Sequence, residues 1–177
     1  MWGLFFYRGD EMTLKELIDN AINDVDEDIS DVTLRSRFKR YVNRAYKELA
    51  RREGIEKSIN LVPVQNVVYK PYDLISIHEV RCNGMPIVFE VTGRVIKVPT
   101  NNEIELIYNY LPDALESEDD ETITNPANDE FIGHYAKWLY YNQEGEKENA
   151  GIERTEFEGM KLVTQTRITN IINVYRW

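Results

Sequence analysis

The chain has 177 residues, 42% of them hydrophobic and 29% charged, with a formal net charge of −10. That length suits one domain with room for an inserted subdomain, and a chain of this size buries roughly 70% of its unfolded surface. A single cysteine, Cys82, excludes an intrachain disulfide and a cysteine zinc cluster, and no apolar run approaches the roughly 20 residues of a membrane span.

Residues 1–12 read as an N-terminal extension. Met1–Tyr7 is apolar but short, without the positive start and small-residue cleavage site of a secretory signal, so a cytoplasmic setting is expected. Thr13-Leu14-Lys15-Glu16 fits a capping box, in which Thr and Glu satisfy each other's open backbone donors. Leu14, Leu17, Ile18, Ala21, Ile22 and Val25 then trace one helical face, predicting a helix over 13–25. The acidic stretch Asp26–Asp31 ends it, and Asp31 can cap the next helix.

That second helix, over 32–53, is electrically opposite to the rest of the chain. Leu34–Arg52 holds eight basic residues and one acid, Glu48, so it carries +7 and the remainder carries −17. Arg37, Arg40, Arg44, Lys47 and Arg51 recur at spacings of 3, 4, 3 and 4, which places them along one side. Leu34, Phe38, Tyr41, Val42, Ala45 and Leu49 take the other side. Gly54 supplies the stop.

The period then changes to that of strands, giving a β insert over 57–110. Ser58–Val62, Val64–Tyr69 and Leu74–Cys82 are β-prone, and Asn83-Gly84 is a strong hairpin signal. Ile87, Phe89 and Val91 alternate on the return, and Thr92-Gly93 turns again into Arg94–Val98. Ile104, Leu106, Tyr108 and Tyr110 alternate with Glu103, Glu105 and Asn109, so an antiparallel meander with one polar face is expected.

Residues 112–125 form an acidic loop, with six carboxylates between Asp113 and Glu121. The calcium-loop pattern is absent, because its central glycine and final glutamate are out of place. The loop is therefore a solvated acidic segment or a surface for a basic neighbour. Asn125 and Pro126 open a third helix over 126–144, whose core face is Phe131, Ile132, Tyr135, Ala136, Leu139 and Tyr140. A fourth helix is expected over 146–163, with Phe157 and Met160 inward. Residues 164–177 are rich in Thr, Ile, Val and Asn and read as an extended or partly helical arm. The fold class is thus α+β, a bundle of about four helices with an inserted antiparallel β-meander and a C-terminal arm.

The chemical inventory is thin. His78 and His134 stand alone, and no zinc-protease helix, nucleophile elbow or glycine-rich phosphate loop is present. No enzyme, cofactor or metal site is expected. The basic side of 32–53 admits a solvated face, a nucleic-acid contact or a contact with an acidic protein surface. Asp26, Glu27, Asp28 and Asp31 precede it and would oppose phosphate, which disfavours a DNA-reading helix-turn-helix. A nucleic-acid-binding regulator using the basic helix is the alternative reading. The arm either packs on its own domain or exposes a docking patch.

Several phrases carry a family likeness across about Leu14–Leu162. They are the Leu34–Arg52 helix with Phe38, Tyr41 and Ala45-Tyr46, and Leu74–Val80 before Asn83-Gly84. Tyr108-Asn109-Tyr110-Leu111-Pro112 precedes the acidic loop, and Asp129-Glu130-Phe131 leads through Ala136–Tyr141 to Gly145-Glu146. With the order of elements, they make the chain resemble the head-to-tail adaptor (connector, head-completion) proteins of tailed bacteriophages. The resemblance implies an adaptor domain over 13–163 in a structural virion protein of the neck, assembled in the host cytoplasm. It implies a ring, commonly a dodecamer, that joins the portal to the tail or further neck proteins and continues the channel through which genome DNA passes without specific binding. No membrane is involved. The C-terminal arm would dock on the portal, for which Ile168, Ile171, Ile172, Tyr175, Arg176 and Trp177 are the candidates. Subunit contact is assigned to Arg37, Arg40, Arg44, Lys47 and Arg51 against Glu116, Glu118, Asp119 and Asp120, because a cyclic ring needs two different complementary patches.

Overall fold

The computed structural model describes residues 12–163 and the backbone pair 169–170. They group into two compact units, a helical unit of residues 12–53 and 113–163, and a β unit of residues 54–112 with 169–170.

Four helices build the first unit: α1 (Leu14–Asn23), α2 (Val32–Glu53), α3 (Asp129–Glu144) and α4 (Lys147–Gly159). The expected capping box closes at the start of α1. Thr13 N donates to Glu16 Oε2 at 2.9 Å, and Glu16 N donates to Thr13 Oγ1 at 3.2 Å. Asp31 caps α2 by accepting from Thr33 N at 2.7 Å and Leu34 N at 3.1 Å. Asn125 caps a single 3-10 turn, Pro126–Asn128, that leads into α3. Gly145 ends α3 in the left-handed region, at φ 82°, where a side chain would be strained. Helix α4 ends at Gly159, short of the expected 163, because the backbone of Met160 is extended.

The core of this unit is the inner face of each helix. Leu14, Leu17, Ile18 and Ile22 of α1 meet Phe38, Val42, Ala45 and Leu49 of α2, together with Phe131, Ile132 and Ala136 of α3. Rings tie α2 and α4 to α3: Phe38 lies 5.3 Å from Tyr140, and Phe131 lies 5.6 Å from Phe157. Helix α3 packs against α1, α2 and α4 and is the central element.

The β unit comprises β1 (Glu56–Leu61), β2 (Val67–Tyr69), β3 (Leu74–Cys82), β4 (Met85–Pro86), β5 (Glu90–Thr92), β6 (Val95–Lys97), β7 (Ile104–Tyr110) and β8 (Thr169–Asn170). The expected antiparallel insert resolves into two sheets, ordered β4-β3-β7-β1-β8 and β2-β6-β5. Asn83-Gly84 does turn β3 into β4, with φ of 52° and 75°. The return strand does not run through Ile87, Phe89 and Val91 as one element. Met85 and Pro86 pair with β3, Ile87 N makes one further bond to the Val80 carbonyl at 2.8 Å, and Val91 pairs with Ile96 in the second sheet. Val64–Tyr69 is likewise a tight hairpin, because Gln65 and Asn66 take φ of 52° and 63° between reciprocal bonds of Val64 and Val67.

Alternation on β7 sorts the larger sheet as expected. Leu106 lies opposite Val80 and Ile59, and all three are buried. The other face is polar: Ser58 Oγ donates to Glu105 Oε1 at 2.7 Å, and Asn109 Nδ2 donates to Ser76 Oγ at 3.1 Å. Beneath Tyr108, the buried Asp73 accepts from its hydroxyl at 3.0 Å and pairs with Lys57 at 2.8 Å. Burial and that carboxylate push the Tyr108 phenol far upward.

Phe38 is fully buried between helices and cannot be replaced by collapse of a rigid ring cluster. Phe38→Ala is expected to cost about 3–5 kcal/mol in chemical denaturation. A loss below about 1 kcal/mol would mean that the α2–α3 contact is not the centre of the unit's stability.

Candidate functional site

Helix α2 is the candidate interaction surface, and the structure sorts its eight basic residues into groups. Arg35 reaches Asp19 and Glu118, the latter at 2.9 Å. Lys39 Nζ donates to the Glu116 carbonyl at 2.7 Å and lies 3.3 Å from its carboxylate. Arg37 pairs with Glu144 of α3 and stacks 5.8 Å from the Tyr140 ring. Hydrogen bonds to these carboxylates raise the Arg35 and Arg37 guanidinium pKa values. Arg51 and Arg52 share Glu48, and Arg52 also sits 5.0 Å from the Phe131 ring. Among the described residues, Arg40, Arg44 and Lys47 have no ion pair or hydrogen bond from their side chains. Arg40 and Arg44 are exposed and Lys47 is half-buried.

The acidic loop lies along the flank of α2 rather than standing free. Arg35, Lys39 and Asn43, four residues apart, hold Glu118, Glu116 and Leu115 in turn. Asn43 makes the central contact with both ends of its amide, accepting from Leu115 N at 2.7 Å and donating to its carbonyl at 3.0 Å. Backbone carbonyls of Glu118 and Asp120 accept from Lys15 N and Leu14 N at 3.0 and 2.8 Å, which satisfies open donors of α1. Asp120 accepts from Glu116 N and Ser117 N, and those bonds lower its pKa. Of the four acids assigned to subunit contact, Asp120 is thus committed to its own loop. Glu116 and Glu118 meet cations of the same chain while staying 79% and 59% exposed. Asp119 is exposed, with no ion pair among the described residues. Asn43, Arg35 and Lys39 were not singled out by the sequence, although their four-residue spacing marks one edge of the helix.

The arm candidates Ile168, Ile171, Ile172, Tyr175, Arg176 and Trp177 lie outside the described residues. Two facts bear on the arm's course. Thr169–Asn170 adds to β1 as a parallel strand, opposite Lys57 and Ser58. Val163, where the chain leaves the helical unit, is clamped by Asn128: its N–H donates to Asn128 Oδ1 at 2.9 Å, and its carbonyl accepts from Asn128 Nδ2 at 2.9 Å. Asn128 Nδ2 also donates to Glu53 Oε1 at 2.6 Å, and Asn125 N donates to the same carboxylate. Burial raises the Glu53 pKa, against those hydrogen bonds.

The two histidines are structurally engaged. His134 Nδ1 lies 2.6 Å from Glu153, which also pairs with Lys137, so they join α3 to α4. His78 Nδ1 lies 2.7 Å from Glu56, beside a shallow recess that includes Glu79, Arg81 and Ile107. Among the described residues no hydroxyl or thiol bonds to either imidazole, no carboxylate, histidine and thiol cluster could hold a metal, and no helix is long and apolar enough to cross a membrane.

The described residues thus form a helical unit interrupted by a β insert, with a row of unpaired cations on the outer side of α2. The profile of the SU10 adaptor protein family matches residues 12–172, and the chain belongs to that family. No curated protein matches it.

Because the Glu53 pKa is raised, the folded state holds that proton more tightly than the unfolded chain does. Its favourable contribution is complete below the unfolded value of about 4.3 and is lost as pH rises through the folded value. Glu53→Gln removes the titration. Wild-type stability is therefore expected to fall relative to Glu53→Gln as pH rises above the unfolded value and through the folded one, in urea denaturation. Parallel pH profiles would show that the buried carboxyl is not the titrating group.

Proposed function

We propose that this phage adaptor closes a ring in the neck of the virion, joins the portal to the tail and continues the genome channel. The single observation that carries the proposal, beyond family membership, is the surplus charge on α2. Arg40, Arg44 and Lys47 lie opposite the helix's buried face and have no partner in their own chain among the described residues. A chain with net charge −10 offers mainly acidic surface to such a row, so a second copy is a natural partner. Head-to-tail contacts between unlike patches generate rings when the rotation closes. Arg37 and Arg51 border the row. Of the acidic loop, Asp119, Glu116 and Glu118 have exposed carboxylates that a neighbour could share. The acidic remainder suits a channel wall that DNA passes without sticking, since like charge repels phosphate.

The arm, 164–177, is assigned to portal docking through Ile168, Ile171, Ile172, Tyr175, Arg176 and Trp177. That assignment rests on the large apolar payload of these residues near the chain end.

Deleting 164–177 is expected to abolish co-sedimentation with portal rings while circular dichroism retains the helical signal. Full co-sedimentation of the truncated protein would remove the docking assignment. A DNA titration separates the regulator reading: binding by the isolated protein that falls steeply with salt would favour nucleic acid over a ring contact.

A further inference from the structure

We infer that the partner of the α2 row is the outer face of α4 in a neighbouring copy, with Glu148 and Glu156 as the acids and Ile152 between them. This inference rests on the ring reading and names its contact.

The acidic loop is one counterpart, but Glu118 and Glu116 already meet Arg35 and Lys39, and Asp120 holds the loop's own backbone. Helix α4 offers what the loop does not. It buries Ala150 and Phe157 and points Glu153 toward α3, where that carboxylate meets His134 and Lys137. The opposite side carries Glu148, Ile152 and Glu156, spaced by four residues and therefore on one face. All three are exposed, Ile152 at 54%, and among the described residues neither acid has an ion pair. An apolar residue between two unused carboxylates has no evident role in its own subunit.

The two faces match in length and chemistry. At about 1.5 Å per residue, Arg40 to Lys47 spans about 10 Å, and Glu148 to Glu156 spans about 12 Å. Two cations at the ends of one row can meet two acids at the ends of the other. The aliphatic stem of Arg44 is then available to cover Ile152, as long basic side chains commonly cover apolar ground. Both helices belong to the helical unit and both pack on α3. A contact between these two unlike faces is heterologous, and it gives a ring where the rotation closes.

Charge reversal tests this in the full chain, with and without portal rings of the same phage. Arg40→Glu with Arg44→Glu makes one variant, and Glu148→Lys with Glu156→Lys makes a second. Each is expected to lose ring assembly in sedimentation and in images, while keeping the wild-type melting curve, since all four positions are exposed. Mixing the two variants, or joining the four substitutions in one chain, is expected to restore rings, because every contact then pairs opposite charges again. Wild-type rings should weaken as salt rises. If either variant assembles like wild type, or if the restored pairings fail while the melting curves are unchanged, the α2–α4 contact is wrong and the ring reading stands. Wild-type protein that stays monomeric both alone and on portal rings overturns the ring reading, and this contact with it.

Discussion

The packing of α2 against α3 is the contact on which the helical unit depends. Phe38, Val42 and Leu49 commit one side of a 22-residue helix to the core. Once that side is fixed, the helix has no freedom to hide its cations, and Arg40, Arg44 and Lys47 must face outward. The core and the exposed basic row are thus two consequences of one helical phase. Turning α2 to bury the basic row would strand charge in apolar surroundings, at a cost far above what any surface pair returns.

The polar accounting around that helix explains the course of the chain elsewhere. Open backbone donors at the start of α1 and the amide of Asn43 both need partners, and the acidic loop supplies carbonyls to each. The pairs of Arg35 with Glu118 and of Lys39 with Glu116 add little stability individually, since both acids are exposed. They set the loop's position instead. The same logic holds at Glu53, where a buried carboxylate gathers Asn125 and Asn128, and Asn128 in turn holds Val163. One polar node therefore joins the end of α2, the start of α3 and the root of the arm.

Much of this was legible in the sequence, for reasons that are local. The capping box at Thr13, the Asp31 cap, the Asn83-Gly84 turn and the two-sidedness of α2 depend on residues a few positions apart. What was not legible depends on distant ones. The acids between Glu116 and Asp120 look like a free patch in sequence, and only the structure shows them lying beside Arg35 and Lys39. The return strand after Asn83-Gly84 reads as continuous because Ile87, Phe89 and Val91 alternate, yet the strand breaks after Pro86 and only Val91 of the three lies in a strand, in the second sheet. Periodicity reports which side of a strand a residue takes, not which strand lies next to it. The Asn128 node had no signal at all, since two asparagines and a glutamate across some 75 residues carry no pattern.

The sequence alone determined most of the elements, the phase of each helix, and the charge separation between α2 and the rest of the chain. Those properties follow from spacing along one chain, which 3.6-residue and two-residue periods encode directly. Tertiary structure decided which charges are spent internally and which remain. Neutralisation depends on distance in space, so the folded loop takes up Arg35 and Lys39, Glu144 takes up Arg37, and the row at Arg40, Arg44 and Lys47 is left facing outward.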